Sequence, residues 1–263
     1  MQRSVPGAVA WSLAVVRANP AVLGAFLLVG GVQVALDRGP ADAATLAAVV
    51  GFLGVFLGRG YVGLVAADTL RRTRPTGSRL RLLARRLPAF LAAAAVVAAA
   101  LVGLVVAVTS WVSPALNAFL SAGGFADAVT AANAALLVAT TATVLAVLVK
   151  CCFLPEACFV GGYGPVEALR VTWSVTAVHR RKAFVLTAGL LALFAIGTLL
   201  DARIGGTARP VVLSVTLYET TVAVRSIGLT TAGPLRLLAD ASLSAVYYAV
   251  FAHQYVHALF DDR

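Results

Sequence analysis

Six long apolar runs constrain the fold of this chain more than any other feature of its sequence. They cover residues 21–36, 43–67, 87–112, 131–154, 183–200 and 237–260. A helix needs about 20 apolar residues to cross the ~30 Å hydrocarbon core of a bilayer, and several of these runs reach or exceed that length. The runs predict an all-α fold, an integral membrane helical bundle of about six transmembrane helices.

The composition favours the same fold class. The 263 residues are 60% hydrophobic and only 12% charged, whereas soluble domains are about 45–50% apolar and about 25% charged. A single water-soluble core cannot hide so many apolar side chains, so the bilayer is expected to be the solvent for much of the chain. We predict one transmembrane domain that covers residues 1–263.

The positions of the arginines predict the orientation. If the N-terminus is inside, the cytoplasmic segments contain the basic stretches RRTRPTGSRLRLLARR, residues 71–86, and HRRK, residues 179–182. The opposite side holds fewer basic residues, namely Arg38, Arg203, Arg209, Arg225 and Arg236. Short basic loops stay in the cytoplasm. We therefore predict a multi-pass protein of the plasma (cytoplasmic) membrane with both termini cytoplasmic.

The net charge of +10 is interpreted through the same asymmetry. Basic segments beside a membrane attract anionic lipids, so the predicted partners are membrane lipids, with anionic headgroups at the cytoplasmic face. The sequence lacks the interleaved aromatic and basic residues of a nucleic-acid-binding module, and we predict no nucleic-acid partner. An unidentified membrane partner remains open.

Three segments of the chain resemble one another. WSLAVVRANPAVLGAFLL begins at Trp11 and aligns with WSVTAVHRRKAFVLTAGLL, which begins at Trp173, while a looser copy begins at Thr76. These copies suggest pseudo-repeats over residues 4–75, 76–163 and 164–263. Each repeat is predicted to be an amphipathic helix on the cytoplasmic surface followed by a hairpin of two spans. Chance similarity among Ala/Val/Leu-rich segments is the alternative.

LPEACFVGGYGPVEALRVTWSVTAVHRRK interrupts the apolar pattern and is interpreted as a joint, not a catalytic loop. Pro155 is expected to end the fourth span, Gly164 to allow a turn, and Pro165 to begin the next helix. Glu167 would then complement the dipole in the first turn of that helix. Trp173 falls on its apolar stripe. The stretch is explained structurally without chemistry.

Phe153, Pro155 and the sequence GPVEALRVTW, residues 164–173, resemble the corresponding loop of a large family of polytopic membrane proteins. That family includes the membrane domain attached to some glycerophosphodiester phosphodiesterases and many stand-alone, uncharacterised prokaryotic proteins. The resemblance implies six helical spans without assigned catalytic residues. It does not imply phosphodiesterase activity, because in the fused relatives the hydrolase is a separate soluble domain.

Charged residues inside or beside the spans are candidates for a ligand site or a pathway, because burying a charge at mid-bilayer costs about 2.5–3.5 kcal/mol. They are Arg59, Asp68, Lys150, Glu167 and Asp240. Arg59 is the strongest candidate, since it lies inside the second run between two glycines. Asp68 lies about 13 Å further along that helix, too far to pair with Arg59. The alternative for Arg59 is a structural hydrogen bond to helix-end carbonyls.

His253 and His257 are weak candidates for a metal site. Their four-residue spacing puts both imidazoles on one helix face, but zinc needs at least a third protein ligand. Cys151, Cys152 and Cys158 fall near the same leaflet and are more typical of small buried apolar residues. We predict no metal, no cofactor and no catalytic residues.

The segment 205–234 has too few apolar residues for an ordinary span, and it is rich in β-branched residues. We predict an interfacial or re-entrant element on the outer face, whereas a crossing would give seven spans.

Two functional classes follow from these features. The first is a non-enzymatic membrane protein that binds lipid or moves a small solute. The second is an intramembrane metal-dependent enzyme that uses His253 and His257.

Overall fold

The computed structural model describes residues 5–37, 43–71, 78–125, 128–204, 213–217, 220–224 and 234–260. Nearly all of them are helical. The helices are α1 Val5–Ala18, α2 Pro20–Asp37, α3 Ala43–Arg71, α4 Arg79–Ala107, α5 Ser113–Ala122, α6 Ala128–Lys150, α7 Leu154–Glu156, α8 Pro165–Val178, α9 Arg180–Ile204 and α10 Pro234–Phe260. Two π-helical turns complete the path, Val108–Val112 between α4 and α5 and Ala157–Gly161 after α7.

Several helices have the length and apolarity of membrane spans. Among the described residues, three stretches pass both criteria: Val49–Leu70, Arg79–Ala122 and Ala128–Gly161. The bent pair Gly7–Ala18 and Pro20–Leu36 adds a fourth if it counts as one span. The structure thus confirms the predicted class of a helical protein with several apolar helices that fit a membrane.

A sharp break separates the first two helices, within the first predicted pseudo-repeat. α1 and α2 meet at 83°, and Asn19 is the residue between them. Pro20 disfavours helical geometry at the residue before it and lacks the N–H that would continue the hydrogen-bond ladder. The Asn19 side-chain amide instead donates to the carbonyl of Val15 at 3.0 Å. The break thus follows from local sequence.

No such break separates the corresponding segment from the span that follows it in the second predicted pseudo-repeat. The segment predicted to be a separate surface helix before the third span forms the first turns of α4, which continues through Pro88. The helical path then runs past the predicted end of the third apolar run as far as Ala122, so that the stretch Arg79–Ala122 contains 44 residues. Its distal side chains, Trp111 and Phe119 among them, are largely exposed. An apolar exposed helix of this kind fits a lipid environment.

Part of the segment predicted to be interfacial or re-entrant forms a β-hairpin. Strands β1 Leu213–Leu217 and β2 Thr220–Val224 pair antiparallel, with Leu213 opposite Val224 and Leu217 opposite Thr220. Five residues at about 3.4 Å each extend about 17 Å, well short of a bilayer core. The remaining residues between 205 and 233 lie outside the described part of the chain.

α3, α10 and the segment 153–160 form the centre of the bundle. α3 packs against α2, α4 and α10, and α10 also packs against α1 and α2. Every residue from Phe153 to Val160 is buried. Fully buried aromatic side chains from this segment and its neighbours pack together in the described part of the chain, namely Phe26, Phe90, Phe153, Phe159, Phe251 and Tyr255.

The joint between α6 and α8 corrects one prediction. α6 ends at Lys150, and Pro155 lies in the first turn of α7 instead of ending the fourth span. Proline is tolerated there because the first N–H groups of a helix have no partner within the helix. α8 begins at Pro165 directly after Gly164, where the sequence predicts a helix start.

Gly60 marks the closest approach between α3 and the buried segment. A Cβ at this position would lie 2.7 Å from ring atoms of Phe159 and 2.8 Å from Leu83. Gly60→Val should therefore lower the free energy of unfolding by about 1–3 kcal/mol through overpacking. Gly103→Val is the control, since a Cβ at Gly103 meets no atom within 4 Å. Denaturant titration in detergent micelles measures both, and equal stability of the two variants would contradict the prediction.

Candidate functional site

Arg59 of α3 binds Glu156 of α7 inside the bundle. Its Nε lies 2.6 Å from Oε1, and its Nη2 lies 2.7 Å from Oε2. The same Nη2 donates to the carbonyl oxygen of Cys152 at 2.5 Å. The two charged side chains are only 6% and 1% exposed. Such a bidentate pair compensates both charges, which is the condition for burying them.

Two rings of α10 cover the guanidinium. The Arg59 Cζ lies 4.3 Å from the ring centroid of Phe251 and 5.2 Å from that of Tyr248. A cation above the face of an aromatic ring is attracted to it. The ion pair therefore joins three elements, α3, α7 and α10.

Glu156 is the residue that the sequence analysis missed. Only Asp68 is considered above as a partner for Arg59, because Glu156 lies in a segment interpreted as a joint. One signal was present: Glu156 is the only acidic residue between 128 and 166, and it lies within the apolar sequence FLPEACFV. An isolated charge in such a sequence calls for a partner of opposite sign.

Asp68, near the C-terminal end of α3, pairs with Arg79 at the start of α4. Its Oδ2 lies 3.0 Å from both Nε and Nη2 of Arg79. About a quarter of each side chain is exposed, 27% for Asp68 and 26% for Arg79. This pair links α3 to α4 and is accessible, unlike the Arg59 pair.

The other charged candidates lie near helix ends. Lys150 is the last residue of α6, and its Nζ lies 5.2 Å from the ring centroid of Trp173 in α8. Glu167 is exposed in the first turn of α8, and Asp240 is half-buried near the start of α10. Within the described ranges, the carboxylate bound to Arg59 is that of Glu156, so Asp240 does not fill this role.

The histidines lie close together on α10. The rings of His253 and His257 are 4.4 Å apart, and His253 is buried with its ring 4.8 Å from that of Trp11. In the part of the chain that the structure describes, no group of three or more His, Cys, Asp or Glu side chains is placed to hold a metal ion. The two imidazoles therefore lack the third protein ligand that a zinc site requires there.

A groove of about 710 Å³ lies between α2, α3 and α4, within the size range of small-molecule sites. Its lining includes Gly54 and Gly58 of α3, Leu28 of α2 and Leu87 of α4. Most of the lining is apolar, so the groove suits a hydrocarbon chain better than a polar solute.

The two ends of the groove differ in polarity. α3 is antiparallel to α2, because Gly58 approaches Phe26 and Gly54 approaches Val29. It is antiparallel to α4 as well, because Phe56 packs on Phe90 and Gly60 approaches Leu83. One end therefore collects Tyr61, Ser78 and Arg79, and the other collects Leu28, Gly54 and Leu87. This gradient matches a molecule with a polar head and an apolar tail.

Gly24 opens directly onto this groove. A Cβ at Gly24 would meet no atom within 4 Å, although Gly24 belongs to the lining. At Gly58, by contrast, a Cβ would lie 2.8 Å from the ring of Phe26. Gly58 allows α2 to approach α3, whereas Gly24 leaves space unfilled.

Compared with protein-family models, curated proteins and solved structures, the chain matches none.

The Arg59–Glu156 pair leads to a prediction about stability. Arg59→Gln should lower the free energy of unfolding by about 3–5 kcal/mol, because it leaves the Glu156 carboxylate buried without its counter-charge. Combining Arg59→Met with Glu156→Gln should recover much of that loss, since neither charge then remains. Denaturant titration in detergent micelles gives the values.

Asp68→Asn serves as the control for this prediction, because it removes a carboxylate from a partly exposed pair. Such pairs contribute about 0–1 kcal/mol. An Arg59→Gln variant no less stable than Asp68→Asn would show that the buried pair is not needed for the fold.

Proposed function

We propose that this chain is a multi-pass membrane protein that binds a membrane lipid in the groove between α2, α3 and α4 and catalyses no reaction. The main support for this proposal is the groove, because its lining is apolar except at one end, which contains Arg79. A phospholipid has the same arrangement of a polar head joined to apolar tails. The resemblance to polytopic proteins without assigned catalytic residues favours the same interpretation.

Six spans are proposed for the bundle, arranged as three hairpins. α2, α3, the path from α4 to α5, and α6 account for four of them. α9 and α10 supply the other two, since they have 25 and 27 residues and a crossing takes about 20. α10 includes His253 and Gln254, but both are buried against the protein. A span in the middle of a bundle can carry polar groups that a lipid-facing helix cannot.

Six spans with an internal N-terminus predict a cytoplasmic C-terminus, as the positive-inside pattern also does. Alkaline phosphatase fused after Arg263 should be inactive, because it needs disulfides that form outside the cytoplasm, and a fluorescent-protein fusion at the same site should be bright. Phosphatase fused after Ile204, the end of α9, should be active. Activity after Arg263 would mean an odd number of crossings if the N-terminus is inside.

The burial and pairing of the Arg59 guanidinium favour lipid binding over passage of a solute. A pathway residue must present its charge to the solute, whereas the Arg59 guanidinium is bound by Glu156 and covered by Phe251. Arg79, by contrast, is partly exposed and lines the groove. The proposal therefore assigns the lipid to the groove, and a structural role to Arg59.

Filling the groove provides the test. Gly24→Leu should reduce the lipid that stays bound when the protein is released from lipid nanodiscs, because the new side chain projects into the open space beside α2. The substitution also raises helix propensity by about 1 kcal/mol, so the fold should persist. Gly103→Leu is the matched control, since it makes the same change at an exposed position of α4 outside the groove lining.

Native mass spectrometry measures the bound mass in both variants. Equal lipid retention by Gly24→Leu and Gly103→Leu would contradict binding in the groove. A retained zinc ion that His253→Ala removes would instead support the metal-dependent enzyme.

A further inference from the structure

We infer that the groove selects a phospholipid with an anionic headgroup, and that Asp68 competes with this headgroup for Arg79. The inference rests on the lipid binding proposed above and adds which lipid is bound and what limits its binding.

The polar end of the groove has the chemistry of an anion site. Arg79 lines the groove, and 26% of its side chain is exposed. Ser78 precedes it at the start of α4, is exposed, and makes no side-chain capping hydrogen bond to the helix. A guanidinium with an adjacent hydroxyl suits a phosphate group, because arginine presents several N–H donors in a planar fork.

Charge complementarity extends beyond these two residues. Arg81 and Arg85 are exposed on the same helix. Basic residues near a membrane surface each contribute about 1 kcal/mol of attraction to anionic lipid. A zwitterionic headgroup gains less, because its own cation opposes this attraction. The mouth of the groove therefore favours lipids of net negative charge.

The occupant is an amphiphile and not a free phosphate. From Arg79 to Leu87 the wall that α4 contributes extends about 12 Å, at 1.5 Å per residue, and beyond Arg79 it presents Leu80, Leu83 and Ala84. A free anion would contact only the mouth and leave this apolar surface empty. A phospholipid covers both regions, with its phosphate at Arg79 and an acyl chain along the wall.

Asp68 sets the strength of this interaction. Its Oδ2 accepts a hydrogen bond from Nε of Arg79 and lies 3.0 Å from Nη2, so one edge of the guanidinium already faces a carboxylate. A phosphate that approaches Arg79 must share or displace these contacts, and it is repelled by the carboxylate charge. Removing the charge of Asp68 should therefore strengthen the binding of anionic lipid, although it removes an ion pair from the protein.

The test uses the full chain in nanodiscs that contain equal amounts of phosphatidylglycerol and phosphatidylcholine. Native mass spectrometry gives the ratio of the two lipids retained. The unmodified protein should retain more phosphatidylglycerol. Arg79→Gln should lower this ratio about fivefold, and Asp68→Asn should raise it by a similar factor, as expected for about 1 kcal/mol per charge near a membrane surface.

Three further variants separate the groove from the general basic surface. Arg81→Gln removes the same charge two residues along α4, outside the groove lining, and should lower the ratio clearly less than Arg79→Gln does. Arg79→Lys keeps the charge and should keep most of the preference. Asp68→Asn combined with Arg79→Gln should show no gain over Arg79→Gln alone, because Asp68 acts through Arg79.

The outcomes distinguish this inference from the proposed function. Lipid retention without a headgroup preference would overturn the inference and leave lipid binding intact. Equal losses in Arg79→Gln and Arg81→Gln, or a lower ratio in Asp68→Asn, would also overturn the inference. If the unmodified protein and Gly24→Leu both retained no lipid, this result would contradict the proposed function as well as the inference.

Discussion

The buried ion pair between Arg59 and Glu156 is the interaction on which the arrangement of the bundle depends. Two charges can be buried together only where their geometry lets each compensate the other, so the pair fixes the position of α7 beside the middle of α3. The rings of Phe251 and Tyr248 enclose the guanidinium and bring α10 to the same point. The pair thus relates three elements that are distant in sequence.

The segment that carries Glu156 is shaped by this constraint. α6 stops at Lys150, and the chain continues as α7 and a buried π-helical turn. Arg86 of α4 donates to the carbonyl of Phe159 in this turn, where carbonyl groups at a helical end need partners. Gly162 follows with a positive φ of 73°, a conformation that glycine adopts at little cost. The stretch is therefore a structural centre of the protein.

The groove results from how the neighbours of α3 approach it. Gly58 and Gly54 allow Phe26 and Val29 to come close to α3, as small residues do in membrane helix packing. On another side, α4 is connected to α3 through Asp68 and Arg79 and through the contact of Phe56 with Phe90. α2 and α4 then flank α3 with space between them. The contacts that stabilise the bundle therefore leave the groove open, with an apolar lining and Arg79 at one end.

The sequence by itself determined the helical class, the apolar surfaces and individual helix starts such as Pro20 and Pro165, because hydrophobic length and proline geometry act within a few residues. It identified Arg59 as exceptional, but its partner lies 97 residues away, and such a pairing depends on the relative depth of two segments. The Asp68–Arg79 pair and the groove also could not be derived from the sequence. Only the tertiary structure decided them, since each depends on which helices become neighbours and how closely they approach.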